Sequence, residues 1–161
     1  VLKDIPEPSD FRLQDYRSPV PKTLKGARVL SSSQAEKLFN SQSSTFIDVN
    51  PRPPRPELLP EGTVWRDVPH SSMEGAYWLP NVGYGLLTTE VEHYFKSRLE
   101  KLTQNNKKRS IVFFCLKECW MSWNAAKRAV SWGYTDISWF PEGTDGWQML
   151  GYSLVPVEPV P

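Results

Sequence analysis

Histidine, cysteine and net charge are all scarce in this chain of 161 residues. It has two histidines, two cysteines and a formal net charge of +1, from 19 basic and 18 acidic side chains. So balanced a composition gives no electrostatic drive toward nucleic acid or an anionic membrane face, and neither is expected as a main partner. No apolar run approaches the roughly 20 residues that a helical membrane span needs. Two thiols are too few for a disulfide-stapled scaffold. Without a nearby histidine or methionine cluster they also leave a four-ligand zinc site incomplete, so no metal is expected there. The haem attachment signature C-x-x-C-H is absent, because the cysteine spacing differs and Trp120 follows the second cysteine. A copper(I) site built from the two thiolates stays open on ligand softness, with Met121 as one soft neighbour.

What is present points to a single globular domain. Hydrophobic residues make up 39% and charged residues 23%. A chain of this length buries roughly 70% of its unfolded surface. Fifteen prolines and seven tryptophans stand out, and five of the tryptophans lie from Trp120 to Trp147. That concentration is either a heavy core or an aromatic wall around a site.

Residues 1–28 carry Pro6, Pro8, Pro19 and Pro21 and little periodicity, so they are expected as an extended arm touching the domain through Phe11, Leu13 and Tyr16. A first helix is signalled by Ser33 with Glu36 as a capping box, and Ala35, Leu38 and Phe39 form its apolar face. Thr45 to Val49 reads as a buried strand carrying Asp48 near its end. Pro51, Pro53, Pro54, Pro56 and Pro60 then make a stiff excursion, either a rigid loop or a polyproline recognition segment. Its Arg52 and Arg55 either attract an anion or are simply solvated. Short strands are expected at Val64–Trp65 and Ala76–Leu79. A long helix follows from a capping box at Thr89 and Glu92, with Val91, Phe95, Leu99 and Leu102 as its stripe. His93 on this helix reads as a surface or packing residue. Ile111–Phe114 is a strand, Ser122–Val130 a helix ended by Gly133, and Asp136–Phe140 the last clear strand. A loop over 141–147 runs into a short helical turn, and an extended proline-containing tail covers 153–161. The central domain is therefore taken as 29–152. Strands alternating with helices imply an α/β fold with a mostly parallel sheet covered on both faces. Sites in such sheets lie at the C-terminal strand edge, here near Asp48, Pro80, Cys115 and Pro141.

The stretch Ile111-Val112-Phe113-Phe114-Cys115-Leu116-Lys117-Glu118-Cys119-Trp120-Met121-Ser122-Trp123 holds both cysteines. A thiol leaving a buried strand and facing the next helix's N-terminus is well placed for stabilisation as an anion. Together with Phe46-Ile47-Asp48-Val49, Gly75-Ala76-Tyr77-Trp78-Leu79-Pro80, Gly133-Tyr134 and the Glu142-Gly143…Gly146-Trp147 region, this stretch resembles a single rhodanese-like domain. The longer string C-x-x-x-C-W-M-S-W-N-A-A-K-R is similar to the CXXXCW family associated with pyrroloquinoline-quinone (PQQ)-dependent catabolism. The resemblance implies a central five-stranded sheet with helices on both faces. It also implies a bacterial, exported, periplasmic protein whose start at Val1 follows a removed signal, and a role beside a PQQ-dependent alcohol dehydrogenase system. Against the rhodanese pattern the loop is one residue longer, with Ser122 seven positions after Cys115. Lys117 is its only cation, and Ser72 stands where a histidine is common, with His70 displaced by two.

On that scaffold the implied chemistry is sulfur transfer or thiol redox work. Cys115 as thiolate attacks a small sulfur donor such as thiosulfate, and the resulting persulfide is held by loop N–H groups and passed to an acceptor thiol. Lys117 neutralises an anionic donor, and Cys119 is placed to resolve a persulfide or sulfenic acid as a disulfide. Leu116, Glu118, Trp120, Met121, Ser122 and Trp123 would form the surrounding loop. Asp48, Glu142 and Asp145 are candidates to orient Lys117 or a loop donor, Asp48 being the more structural. No cofactor is implied beyond a persulfide on Cys115. A loop of five residues gives a disulfide only about 2 kcal/mol of chain-entropy stabilisation, which favours a redox-labile pair over a staple. Trp120 and Trp123 either pack on the long helix or form a lid over a planar ligand such as a quinone. Phosphatase chemistry needs a cysteine, five residues and an arginine, yet Met121 and Ala125 occupy the two positions in question. A different class is a non-catalytic module that holds a partner protein, redox cofactor or metal in the same pocket.

Overall fold

The computed structural model describes residues 4–53 and 56–161, so Pro54 and Arg55 of the proline-rich segment lie outside the described residues. In chain order the elements are β1 (Arg28–Val29), α1 (Ser32–Ser41), β2 (Thr45–Asp48), β3 (His70–Ser72), β4 (Tyr77–Trp78), α2 (Thr89–Thr103), β5 (Ile111–Phe114), α3 (Trp120–Ser131), β6 (Ile137–Phe140), α4 (Gly143–Met149) and β7 (Val155–Val157). Five strands form one parallel sheet in the order β1-β6-β5-β2-β4. The central strand β5 is Ile-Val-Phe-Phe, buried at every position, because both faces of a parallel sheet are covered. Alternation sends Ile111 and Phe113 to one core with Ile47, Val49 and Trp139, where Phe95 and Leu99 of α2 and Ala125, Ala126 and Ala129 of α3 pack. Val112 and Phe114 go to the other with Phe46 and Phe140, against Ala35 of α1 and Trp147 of α4. The expected α/β sheet with helices on both faces is what the chain forms.

Several boundaries differ from the expected ones, each for a local reason. Ser31, not Ser33, caps α1: its hydroxyl accepts from the Gln34 amide at 3.2 Å while Gln34 Oε1 accepts from the Ser31 amide at 2.8 Å. Glutamine serves in this box as well as glutamate does, and Glu36 instead accepts the Tyr152 hydroxyl at 2.6 Å. Thr88, one residue earlier than expected, caps α2 by accepting from Val91 N–H. α3 starts at Trp120 rather than Ser122. Val64–Trp65 is irregular chain, with Val64 exposed and the Trp65 indole donating to Asp67. The strand in this region is β3, paired antiparallel with β7 of the tail.

Residues 4–27 run along the α3 side of the domain before entering the sheet as its edge strand β1. Glu7 pins this arm to itself: its carboxylate accepts from the Thr23 hydroxyl at 2.7 Å and the Lys25 amide at 2.9 Å. Those two donors, the threonine first, hold its pKa below the ordinary carboxylate range. Because the folded value is depressed, the contribution is complete above the ordinary range and is lost as pH falls through the lowered value. We expect Glu7→Gln to make the acid-side fall in melting temperature shallower, read by thermal unfolding at a series of acidic pH values. An unchanged acid limb in the variant would show the contact to be energetically silent.

Candidate functional site

Cys115 follows β5 directly and Cys119 is the N-cap of α3. Their sulfurs are joined in a disulfide across a Cα–Cα distance of 6.4 Å, within the range that disulfides span. Both residues are buried, at 0% and 2% exposure. Between them Leu116 packs on the core, while Lys117 and Glu118 face solvent. Glu118 turns the chain with φ of 53°, a left-handed conformation that costs a non-glycine residue about 1–2 kcal/mol.

The start of α4 holds this loop from below. Thr144 N–H donates to the Cys115 carbonyl at 2.9 Å, and Asp145 accepts the Lys117 backbone N–H at 2.8 Å. Gly143 sits at φ of 55°, and a Cβ there would overlap the Cys115 carbonyl. The Lys117 ammonium lies 4.0 Å from Glu142 with both side chains largely in water, so that pair contributes little. The Cys115 sulfur faces carbonyl oxygens, 3.5 Å from that of Cys119 and 3.8 Å from that of Leu116. Ser122 donates to the Cys119 carbonyl at 3.2 Å and accepts the Trp139 indole N–H at 2.9 Å. Met121 is buried in the same core.

The arm closes the site from above. Trp120 N–H, the first amide of α3, donates to the Tyr16 carbonyl at 2.7 Å, and Arg17 lies opposite Cys119 as in a strand pair. The Trp120 indole donates to Ser18 and the Pro19 carbonyl, each at 3.1 Å, and the Trp123 indole to the Thr23 carbonyl at 3.2 Å. The two rings meet edge-on at 5.1 Å and are buried. Their polar ends are thus taken by the arm. Arg12 stacks over Trp120 at 4.8 Å. This arm contact is why α3 begins two residues early: Tyr16 satisfies an amide that would otherwise be an orphan.

Two residues that hold the arm on α3, and one contact of a third residue away from the cysteine loop, escaped sequence reasoning. Asn124 accepts the Arg12 amide and donates to the Arg12 carbonyl, each at 2.9 Å, and also donates to the Gly83 carbonyl at 2.9 Å. One turn on, Arg128 donates to the carbonyls of Tyr84 at 2.9 Å and Gly85 at 2.8 Å, under the Phe11 ring. Burial pushes its pKa down, and the carbonyls supply partners for the buried charge. Their i, i+4 spacing beside Ala125, Ala126 and Ala129 on the buried face of α3 was the available signal. The third is His70, whose Nε2 lies 2.7 Å from Asp48 Oδ2 and whose ring packs on Trp78. Asp48 Oδ1 also accepts from the Asn50 backbone and side chain, each at 2.8 Å. By strand alternation Asp48 shares the face of Phe46 and Phe114, opposite the core that holds Cys115. It ties β2 to β3 and orients neither Lys117 nor the loop.

The site is closed. A groove of about 480 Å³ between arm and domain is lined by Phe11, Leu13, Leu86 and Arg128 among others, and a hollow of about 260 Å³ by Arg52, Asn81, Tyr84 and Thr88 among others. Neither lining includes Cys115 or Cys119. Among the described residues no cluster of three or more histidine, cysteine or acidic side chains could hold a metal ion. Joined as a disulfide, the two sulfurs offer no thiolate to one.

No protein-family model matches the chain, and no curated protein matches it in sequence. Solved structures do match in fold. A thiosulfate sulfurtransferase from Pseudomonas aeruginosa is 12% identical with a TM-score of 0.54, over 83% of this chain and 21% of that one. The chain thus spans about a fifth of that protein's length. A Rhodopseudomonas palustris protein of unknown function, described as a possible tyrosine phosphatase, is 14% identical with a TM-score of 0.52 over 84% of this chain and 99% of that one. A variant of EanB in complex with ergothioneine is 16% identical with a TM-score of 0.52, over 83% and 32% of the two chains. The fold is rhodanese-like.

Proposed function

We propose that the Cys115/Cys119 pair performs sulfur transfer or thiol redox chemistry, in an exported protein accessory to PQQ-dependent alcohol oxidation. One observation carries the chemical part: the two sulfurs are bonded across the loop that follows the central strand of a rhodanese-like sheet. The resemblance of C-x-x-x-C-W-M-S-W-N-A-A-K-R to the CXXXCW family supports the setting and the periplasmic location. In the reduced protein a thiolate of the pair attacks the outer sulfur of thiosulfate. The donor's S–S bond breaks, sulfite leaves with its electron pair, and the enzyme holds a persulfide. The second thiolate then attacks the inner sulfur, hydrosulfide leaves, and the disulfide forms. An external dithiol returns the pair to its reduced form. Phosphatase chemistry does not fit this loop, because Met121 and Ala125 stand where an arginine would have to clamp phosphoryl oxygens.

The test uses the reduced protein incubated with thiosulfate and read by intact mass and cyanolysable sulfur. A gain of one sulfur, or sulfite release with return of the disulfide, is expected, and both disappear in a Cys115→Ser, Cys119→Ser double variant. If the folded protein keeps both thiols inert to thiosulfate and to disulfides, the sulfur chemistry is wrong. One observation favours a second reading, a non-catalytic binding module. The Lys117 and Trp120 amides are already taken by Asp145 and Tyr16, which leaves fewer loop donors for an anion. That module keeps its partner when both cysteines are serine.

A further inference from the structure

The thiols of the pair occupy unlike surroundings. Cys115 ends a strand, is wholly buried, and its sulfur faces the carbonyl oxygens of Cys119 and Leu116. Carbonyl oxygens accept from an S–H but repel a thiolate, and burial disfavours the anion as well. Cys119 is the N-cap of the 12-residue helix α3. The amides within reach of an N-cap side chain are the second and third of the helix, here those of Met121 and Ser122, and in the disulfide form Cys119 makes no side-chain hydrogen bond to either. Neither has a hydrogen-bond partner among the described residues. The first turn of α3 contains no acidic residue to oppose a negative charge there, and a helix N-terminus favours a thiolate. Different elements hold the two backbones: the Cys115 carbonyl is braced by Gly143 and Thr144 of α4, whereas Cys119 pairs with Arg17 of the arm.

We propose that Cys119 is the thiol that meets the outside reactant and that Cys115 is the buried partner that resolves. This deepens the reading of the pair as a sulfur-chemistry centre and rests on it. It inverts the order that the strand-end position of Cys115 suggests. In the oxidised protein an incoming thiolate attacks the Cys119 sulfur. The new S–S bond forms there, the Cys115–Cys119 bond breaks, and its electron pair goes to the Cys115 sulfur. That sulfur takes a proton from solvent and points the S–H at the waiting carbonyls. A second thiol of the same external dithiol then attacks the mixed disulfide at its outer sulfur and leaves Cys119 as thiolate. In the reduced protein Cys119 attacks the sulfur donor and carries the persulfide, and Cys115 displaces hydrosulfide from it.

Lys117 and Arg109 allow the test to be made on the unaltered protein, since tryptic cleavage after each puts Cys115 and Cys119 on separate peptides. The folded, reduced protein is exposed to substoichiometric iodoacetamide across a pH series, quenched, digested and mapped. Label on Cys119 should exceed label on Cys115 at least tenfold, and the ratio should widen as pH falls. Cys115→Ser should form a stable mixed disulfide with an aryl disulfide probe, while Cys119→Ser reacts at least tenfold more slowly. Equal or greater labelling of Cys115 overturns the assignment and leaves the sulfur-chemistry reading standing. Labelling of neither cysteine overturns both.

Discussion

Gly143→Ala is expected to destabilise the protein by about 2–5 kcal/mol. Roughly 1–2 kcal/mol comes from placing an L side chain at a left-handed φ, and about 1–3 kcal/mol from backbone displaced by overpacking. The φ is 55°, and a Cβ at this point lands on the Cys115 carbonyl oxygen and carbon. Both are main-chain atoms, so no side chain can rotate away. The carbonyl in question accepts the Thr144 N–H, and pushing it aside breaks the link between α4 and the cysteine loop. Gly151→Ala is the matched control. Gly151 has φ of 101° with nothing within 4 Å of an added Cβ, so it reports backbone strain alone. Urea unfolding of the two variants should differ by about 1–3 kcal/mol, the overpacking share. The disulfide of Gly143→Ala should also be reduced faster by dithiothreitol than that of Gly151→Ala. Equal destabilisation of the two would mean that Gly143 matters only for its φ and that the loop is not braced by α4.

Which of these features could be read from the sequence follows from how each contact is made. β5 was legible because a strand covered on both faces is apolar at every position, and Ile111–Phe114 is. The loop from Cys115 to Cys119 was legible because its chemistry lies in side chains that are adjacent in the chain. Glu142 and Asp145 were legible as candidates beside the loop, but not the fact that Asp145 takes a backbone amide rather than the Lys117 ammonium. The arm was legible as an extended segment touching the domain, but not its hold on α3. Its grip on α3 uses the Tyr16, Pro19 and Thr23 carbonyls and both backbone groups of Arg12, with about a hundred residues between partners. Backbone groups are the same in every residue, so nothing in residues 10–24 marks them. For the same reason the pairing of Trp120 and Trp123 with the arm could not be told from packing on α2. β3 and β7, three residues each, are too short for a two-residue period to show. His70 was noted as displaced from a family position, and its bond to Asp48 depends on how the chain returns from the proline-rich excursion.

The arm's hold on α3 is expected to depend chiefly on one amide side chain. Asn124→Ala removes three hydrogen bonds, two to the backbone of Arg12 and one to the Gly83 carbonyl. Asn124 is fully buried, so at least the Gly83 carbonyl is left without this donor. Unsatisfied buried groups cost about 1–3 kcal/mol each, which puts the expected loss at about 2–4 kcal/mol if the arm can relax toward water. Relaxation is where stability and chemistry meet. With Arg12 released, the arm retains the Trp120 and Trp123 indole bonds and the Tyr16 carbonyl on α3, and local opening needs less free energy than before. If reduction of the disulfide requires that opening, a drop of about 1.4 kcal/mol in the opening energy gives tenfold faster reduction. Asn124→Ala should therefore be reduced by dithiothreitol at least tenfold faster than the unaltered protein at a temperature where both are folded. Native-state hydrogen exchange should show the Trp120 amide losing protection with it, while amides of β5 in the centre of the sheet keep theirs apart from the global loss. A variant that is destabilised but reduced at the original rate would place the approach to the disulfide elsewhere, through α4. In that case Gly143→Ala alone should accelerate reduction. The two variants thus separate the side that shields Cys119 from the side that shields Cys115.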